Sequence, residues 1–301
     1  MKKIRHIIEF VLVYTVFISI RLLPMPLVRY SSKILGMSIF YLSKRRRNIA
    51  LNNIKEAFKG TEKESIAKDI AIKSCQSLVL TFMEAIKNQD ILKNPQKILE
   101  VASKNETILE VFKKAKTLHD EYNGCIFVTP HLGNWELLPH VSHAVGIPLI
   151  IVARPLDNPY LERLLFRNRT STGQVFIPKR NALYKLQQSL KKGFSIGLLP
   201  DQSTKKGLNV TFFGRNATAT PVPALLSISY KRPVVVVCCC RDETDGGFKG
   251  FISEPIHPNI NNDEREELQR LTQLMTTEME RFIGLYPNQY LWMHNRWKKY
   301  D

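Results

Sequence analysis

The fold class is clearest in residues 125–136, which have the sequence CIFVTPHLGNWE. An apolar run with the length of a buried strand leads through a polar turn into an amphipathic stretch. Similar apolar runs recur at residues 148–153, 174–177, 195–199 and 234–240, separated by helical patterns at residues 135–145, 160–170, 183–191 and 222–231. This alternation predicts an α/β fold with a largely parallel central sheet.

The chain on either side of this region is predicted to be helical. Residues 63–87 and 108–118 place apolar side chains at roughly helical spacing, and a last helix is expected at about residues 263–285. No repeat and no Gly/Ser- or Pro-rich linker marks a firm boundary. We divide the chain into an anchoring helical segment, residues 1–45, and a domain over residues 46–301. That domain is expected to be helical to about residue 120, with its α/β core over residues 121–301.

The anchoring segment combines apolar runs with much of the positive charge. Residues 1–60 contain twelve Lys and Arg and two acidic residues, so they hold +10 of the net charge of +17. The apolar run of residues 7–20 is short beside the about 20 residues that cross a bilayer. A second run, residues 27–42, is followed by the basic cluster KRRR at residues 44–47. Basic clusters beside apolar helices bind anionic headgroups and mark the cytoplasmic side of a membrane.

These features predict an uncleaved anchor or an interfacial helix. A signal peptide is disfavoured because no small-x-small cleavage site follows the first run. A buried helix beside a solvated charge run is the remaining alternative.

The five cysteines do not suggest a metal site. They include no CxxC pair and no His at metal spacing, and they suit a reducing compartment. Cys238, Cys239 and Cys240 end an apolar run and are expected to be small strand residues that face alternate sides of the sheet.

His131 and Glu136 form the candidate catalytic pair. His131 follows the predicted strand directly, at the edge where open α/β sheets bind ligands. Glu136 can turn back onto the imidazole, fix its tautomer and raise its basicity, with Gly133 allowing the tight turn between them. Such a pair can take the proton of an alcohol that attacks an acyl carbonyl. With an activated thioester donor, this chemistry requires no metal, cofactor or covalent nucleophile.

Two further polar segments follow neighbouring strands. Residues 152–159, VARPLDNP, contain Arg154 and Asn158, and residues 198–202, LLPDQ, end in Asp201 and Gln202. We expect all three strand-end segments to meet at one edge of the sheet.

These segments resemble the lysophospholipid acyltransferase superfamily and, within it, the lipid A biosynthesis late acyltransferases of the lauroyl/myristoyl type. The shared motifs are HLGNWE at residues 131–136, RPxxN from Arg154, LLPDQ, and the basic-aromatic ending YLWMHNRWK at residues 290–298. The resemblance covers nearly the whole chain. It implies a glycerol-phosphate-acyltransferase-like sheet flanked by helices, with residues 46–301 as the acyltransferase domain. It also implies transfer from acyl carrier protein to a hydroxyl of a Kdo-lipid A precursor at the cytoplasmic face of the bacterial inner membrane.

The resemblance also implies roles for the site residues. His131 is expected to be the general base and Glu136 its orienting partner. Arg154 is expected to steady the oxyanion or hold an acceptor phosphate, or instead to pair with Asp157. Asn158 is either a polar group of the site or the N-cap of the next helix.

Further residues keep two interpretations each. Asp201 and Gln202 either shape the acceptor site or form a turn. Asn134 is a substrate-binding candidate or a helix cap, and Trp135 lines an acyl tunnel or fills the core. Phe212 and Phe213 lie in a loop before a helix that helps to cover the site, as ligand wall or as core. The tail cations Arg296, Lys298 and Lys299 either meet an acidic carrier protein or lipid phosphates, or are solvated.

Other function classes fit the sequence less well. Nucleic-acid binding is disfavoured because much of the charge lies beside N-terminal apolar runs and no binding motif is present. A hydrolase or thioesterase lacks a GxSxG elbow but stays open for a His/Glu pair. The intact HLGNWE disfavours a non-catalytic membrane scaffold. A sister acyltransferase acting on a lysophospholipid, a mannosylated phosphoinositide or an ornithine lipid is the nearest alternative.

Overall fold

A computed structural model describes residues 2–103, 105–153, 155–170, 175–178, 181–242, 247–298 and 300. Its α-helices are, in chain order, α1 Lys2–Leu22, α2 Met25–Leu42, α3 Lys44–Ala57, α4 Glu62–Ser65, α5 Ala67–Lys87, α6 Gln89–Leu92, α7 Pro95–Ala102, α8 Glu106–Tyr122, α9 Leu138–Ala144, α10 Pro159–Thr170, α11 Ala182–Lys191, α12 Val222–Tyr230 and α13 Glu264–Leu285. Two 3-10 helices cover Trp135–Leu137 and Pro287–Gln289.

The strands form one central sheet and one separate hairpin. They are β1 Ile126–Val128, β2 Leu149–Ala153, β3 Val175–Pro178, β4 Ser195–Leu198, β5 Leu208–Phe212, β6 Arg215–Ala219, β7 Val234–Arg241 and β8 Phe248–Ile252. The sheet has the order β3-β2-β4-β1-β7-β8, and all its pairs are parallel except β7 with β8. The predicted α/β fold with a mostly parallel sheet flanked by helices is confirmed.

Two strand regions depart from the sequence analysis. Strand β8 follows β7 as an antiparallel edge and was not predicted. The region of Phe212 and Phe213, expected to be a loop, is the β5–β6 hairpin. Its turn uses positive φ at Phe213 and Gly214, as tight hairpins require, but Phe at the first position is not the usual turn residue. The local sequence therefore lacked the ordinary hairpin pattern.

The core lies on both faces of the sheet because neighbouring residues of each strand point to opposite sides. Ile126 and Val128 pack into the larger cluster, whereas Phe127 between them packs into a smaller one on the other face. The cysteines of β7 follow the same rule, since Cys238 and Cys240 belong to the larger cluster and Cys239 to another. All three are buried and unpaired, as strand residues of this kind are expected to be.

Helices α1 and α2 expose an unusual amount of apolar surface. Leu12 of α1 is 63% exposed, and Leu42 at the end of α2 is 85% exposed. Helix α1 ends at Leu22, and Pro24 is the N-cap residue of α2. Among the described residues, no helix combines the length and the apolar character needed to cross a membrane.

Candidate active site

The site lies where β1 and β4 end side by side. The two strands pair in parallel, with Val128 opposite Leu198, so the segments that follow them leave the sheet at the same edge. His131 comes three residues after β1, and Asp201 comes three residues after β4. The structure thus brings together two of the predicted strand-end segments.

Asp201 holds His131 through two hydrogen bonds. The imidazole Nδ1 lies 2.7 Å from one carboxylate oxygen, and the backbone N–H of His131 donates to the other at 2.9 Å. Because an ionised carboxylate can only accept, Nδ1 carries the proton and Nε2 keeps its lone pair. The arrangement therefore presents a neutral imidazole with a basic Nε2.

The charges around the pair favour a protonatable imidazole beside an ionised carboxylate. Burial by itself lowers the pKa of His131, but the charge and hydrogen bond of Asp201 and the charge of Glu136 raise it to a net value above the ordinary one. Burial raises the pKa of Asp201, but His131 and then Arg296 bring it below its usual range. The imidazole is consequently a stronger base than a free histidine.

Glu136 acts on His131 through its charge. It lies in the 3-10 helix Trp135–Leu137, immediately after the turn. The sequence analysis expected Glu136 to orient the imidazole, but the hydrogen bond to Nδ1 is made by Asp201, which is 70 residues from His131 in sequence. The orienting contact thus comes from a residue that sequence reasoning had placed in the acceptor site or in a turn.

Arg296 lies behind Asp201, although the sequence analysis expected it at the surface. Its side chain is only 1% exposed. The guanidinium carbon lies 5.1 Å from the ring centre of Phe212, and the guanidinium donates a hydrogen bond to the carbonyl of Thr218. The surface role proposed for this residue, whether in partner binding or as a solvated cation, is therefore wrong. Lys298 is exposed as expected, and Lys299 lies outside the described residues.

Tyr290 is a second buried neighbour of Asp201. It is 2% exposed, and burial together with the carboxylate charge raises the pKa of its phenol well above the usual value. Tyr290 is the first residue of the C-terminal motif YLWMHNRWK, but the sequence alone indicated no role for it. A tyrosine at the start of a tail rich in aromatic residues and cations was the available indication.

The turn between His131 and the 3-10 helix requires glycine. Gly133 has a φ of +64°, and a Cβ atom there would lie 2.1 Å from the carbonyl oxygen of Cys239. The next residue, Asn134, donates its backbone N–H to that same carbonyl at 2.7 Å. The loop is thus pressed directly onto strand β7.

A buried ion pair on the other side of the loop holds it in place. Glu84 of α5 lies 2.6 Å from Arg241 of β7, and the Asn134 side-chain amide donates to Glu84 at 2.7 Å. Thr81 donates to the carbonyl of Gly133 at 2.8 Å. Asn134 stands at the N-cap position of the 3-10 helix, but its side chain makes no capping bond there and its amide donates to Glu84 instead.

Sequence reasoning missed this ion pair. Glu84 is a carboxylate on the buried face of α5, and Arg241 ends the apolar run of β7. Buried charges are rarely left unpaired. Two charged residues within otherwise apolar patterns could therefore have indicated a buried ion pair.

Of the remaining candidates that the structure describes, Asn158 and Gln202 make no contact with His131. Asn158 is 5% exposed; its side-chain oxygen accepts from the N–H of Tyr160 at 3.0 Å, which confirms the N-cap interpretation. Its amide donates to the carbonyl of His6 at 2.8 Å and so connects α10 to α1. Gln202 is exposed after Asp201, and Arg154 lies outside the described residues.

An apolar pocket opens beside His131. It lies between the sheet and helices α8 and α9 and has an open volume of about 680 Å³, counted with its mouth. Trp135 lines it and contacts the imidazole edge-to-face, with ring centres 5.2 Å apart. The pocket continues past Phe127 to Ile147 and Leu149 at the opposite edge of the sheet. The pocket therefore extends from Trp135, the neighbour of His131, along the sheet to its opposite edge.

Comparison with known proteins identifies the family. The model of the bacterial lipid A biosynthesis acyltransferases matches residues 1–299. The chain belongs to this family. It is therefore an acyltransferase of lipid A biosynthesis.

Two relatives illustrate how far the similarity extends. The acyltransferase is 27% identical to the lipid A biosynthesis palmitoleoyltransferase of Escherichia coli K12 over 282 residues, which cover 92% of this chain and 86% of the relative. It is 25% identical to a lipid A biosynthesis acyltransferase of Haemophilus influenzae over 204 residues, 64% of this chain and 63% of that relative.

Proposed function

We propose that the enzyme transfers a fatty acyl chain from acyl carrier protein to a hydroxyl of a Kdo-lipid A precursor, by direct attack and without an acyl-enzyme. The observation that carries this proposal is the His131–Asp201 pair in contact with Trp135, which lines an apolar pocket. A basic imidazole nitrogen close to an apolar pocket is what acylation of an alcohol by a thioester requires.

The proton follows a short path. Nε2 of His131 takes the proton of the acceptor hydroxyl as its oxygen attacks the thioester carbonyl. Asp201 stabilises the imidazolium that forms. When the tetrahedral intermediate collapses, the carbon–sulfur bond breaks and the imidazolium returns the proton to the leaving thiol. The products are an ester and the free thiol of the carrier, and the proposed steps require no metal or cofactor.

The donor chain is proposed to occupy the apolar pocket. Its near end at Trp135 and Thr129 would place the thioester carbonyl beside His131, with the chain lying between the sheet and helices α8 and α9. Glu136 is proposed to add negative charge that favours the imidazolium, and Arg154 to steady the oxyanion or an acceptor phosphate. Asp201 takes the orienting role.

We further propose that the enzyme works at the cytoplasmic face of the inner membrane. Helices α1 and α2 expose apolar side chains, and the basic cluster of residues 44–47 follows directly after α2. An interfacial helix inserts its apolar face among lipid chains while nearby cations bind anionic headgroups.

Transfer from labelled acyl carrier protein to a Kdo-lipid A precursor tests the reaction. The wild type is expected to form a more highly acylated lipid, and His131→Ala to lose activity by about 10²–10⁴-fold. His143→Ala changes an exposed histidine of α9 and is the matched control. Label found only as free fatty acid would favour a thioesterase, and transfer to a lysophospholipid would replace the acceptor. A trapped acyl-protein would contradict direct attack.

Vesicle flotation tests the membrane proposal. Leu12→Asp is expected to reduce binding to vesicles that contain phosphatidylglycerol, because it puts a charge on the exposed apolar face of α1. Leu285→Asp alters a leucine that is 56% exposed at the end of α13 and is the control. Equal binding by both variants would contradict a membrane role for α1.

A further inference from the structure

A second apolar cavity, which we call the side cavity, adjoins the apolar pocket. It lies among helices α6 to α9 and strand β8, and its lining includes Leu92, Ile98, Ile108 and Phe248. Its open volume is about 1140 Å³, against about 680 Å³ for the apolar pocket, both counted with their mouths. The side cavity therefore offers room for methylene groups beyond those that the apolar pocket holds.

The side cavity is chemically suited to hydrocarbon. Asn105 is one of its few polar side chains, and its amide already donates to the carbonyl of Phe248 at 2.8 Å. The amide oxygen of Asn105 accepts from the N–H of Ile108 at 3.2 Å. These bonds occupy polar atoms that would otherwise favour water over an acyl chain.

Two side chains line both spaces. Phe112 projects from α8 and Val141 from α9, and each contributes to the apolar pocket and to the side cavity. Phe112 is 7% exposed and packs with Ala102 and Ile108 in one small cluster, against which Val141 also packs. The wall between the two spaces is therefore formed by the aromatic ring of Phe112 and the isopropyl group of Val141.

We propose that Phe112 and Val141 keep the donor's acyl chain out of the side cavity and so set the longest chain that the enzyme transfers. The inference rests on the proposed function, because it requires the donor chain to occupy the apolar pocket. One methylene group in or out of a closed hydrophobic pocket changes kcat/KM by roughly 10- to 200-fold. A wall at this position is thus sufficient to separate neighbouring chain lengths.

A ladder of saturated acyl carrier proteins differing by two carbons tests the wall. For Phe112→Ala we expect the kcat/KM of the next longer donor, relative to the donor that the wild type prefers, to rise by about 10-fold or more. Val141→Ala removes fewer atoms and should shift the ratio in the same direction by a smaller factor. It also serves where Phe112→Ala folds poorly. Ile98→Ala enlarges only the side cavity and should keep the wild-type ratio.

Ala115→Leu separates this inference from the proposed function. Ala115 lines only the apolar pocket, so a larger side chain there should move the preference toward shorter donors. If it does so while folded Phe112→Ala and Val141→Ala keep the wild-type ratio, the chain occupies the pocket but the wall does not limit it, and the inference is overturned. A wild type that transfers no acyl chain from any donor contradicts the proposed function itself.

Discussion

Two buried carboxylates flank the loop of residues 131–136, and they differ in their partners. Asp201 holds His131 at 2.7 Å, and Glu84 holds Arg241 at 2.6 Å, with both carboxylates almost fully buried. An imidazole can gain or lose a proton near neutral pH, whereas a guanidinium cannot. Similar geometry therefore gives a proton-transfer group on one side of the loop and a fixed support on the other.

Two variants distinguish the His131–Asp201 pair from the Glu84–Arg241 pair. Of these, Asp201→Asn should cause the larger loss, and it should be a loss of catalytic activity. The amide cannot stabilise an imidazolium, and its NH₂ can turn toward Nδ1 and favour the wrong tautomer. We expect kcat/KM to fall by about 10²–10⁴-fold with the fold retained, measured by acyl transfer and circular dichroism. Asp120→Asn, in an exposed pair with Lys116, is the control. Activity near that of the wild type would remove Asp201 from the mechanism.

Glu84→Gln should act mainly on stability. It leaves the guanidinium of Arg241 buried without its counter-charge, which costs about 3–5 kcal/mol of the free energy of unfolding. Glu278→Gln breaks an exposed pair with Arg281, where about 0–1 kcal/mol is expected. Urea denaturation measures both changes. If the two variants lose equal stability, the Glu84–Arg241 pair is not the support inferred for the loop.

Tyr290→Phe should have a smaller effect than either. It removes a polar neighbour of buried Asp201 but keeps the ring, and a lost polar contact in such a place is worth about 1–3 kcal/mol. We expect an activity loss of roughly 10-fold, shown by kcat rather than by KM, because the change acts through the base. Tyr184→Phe alters a tyrosine that is 66% exposed and should behave as the wild type. A change confined to KM would argue for substrate contact instead.

The pH dependence of wild-type activity should show the smallest of the four effects, and it tests the charge of Asp201 on His131 directly. His131 must be neutral to accept a proton, and its pKa is raised above the ordinary histidine value of 6.5. Activity should therefore fall as the pH drops, with the midpoint of kcat/KM above 6.5. Asp201→Asn removes the charge that raises this pKa, so its residual activity should have a midpoint at lower pH. A wild-type midpoint at or below 6.5 would contradict the inferred electrostatics.

The sequence predicted local features well. The strand ending at Val128 and the sharp turn at Gly133 were predictable because burial and backbone conformation follow from neighbouring residues. The cap at Asn158 was one of two open interpretations, and it is confirmed because Asn followed by Pro has a local meaning at a helix start. The hairpin turn at Phe213 was missed because its residue is unusual there.

Contacts between distant segments were harder to predict. His131 had a plausible partner five residues away, yet its Nδ1 bonds to Asp201 because β4 lies next to β1. Arg296 resembled a tail cation, yet its side chain is buried over the ring of Phe212. Neither result could be predicted from periodicity, which describes one element at a time.

The sequence by itself determined the α/β class, the position of His131 after a buried strand, and the motifs that assign the family. Only the tertiary structure decided which carboxylate orients His131, which charged pair supports the loop, and that Phe112 and Val141 stand between two apolar spaces. The physical reason is that local patterns specify strands, turns and caps. Strand order and helix packing depend on the chain as a whole, and they bring together side chains that are far apart in sequence.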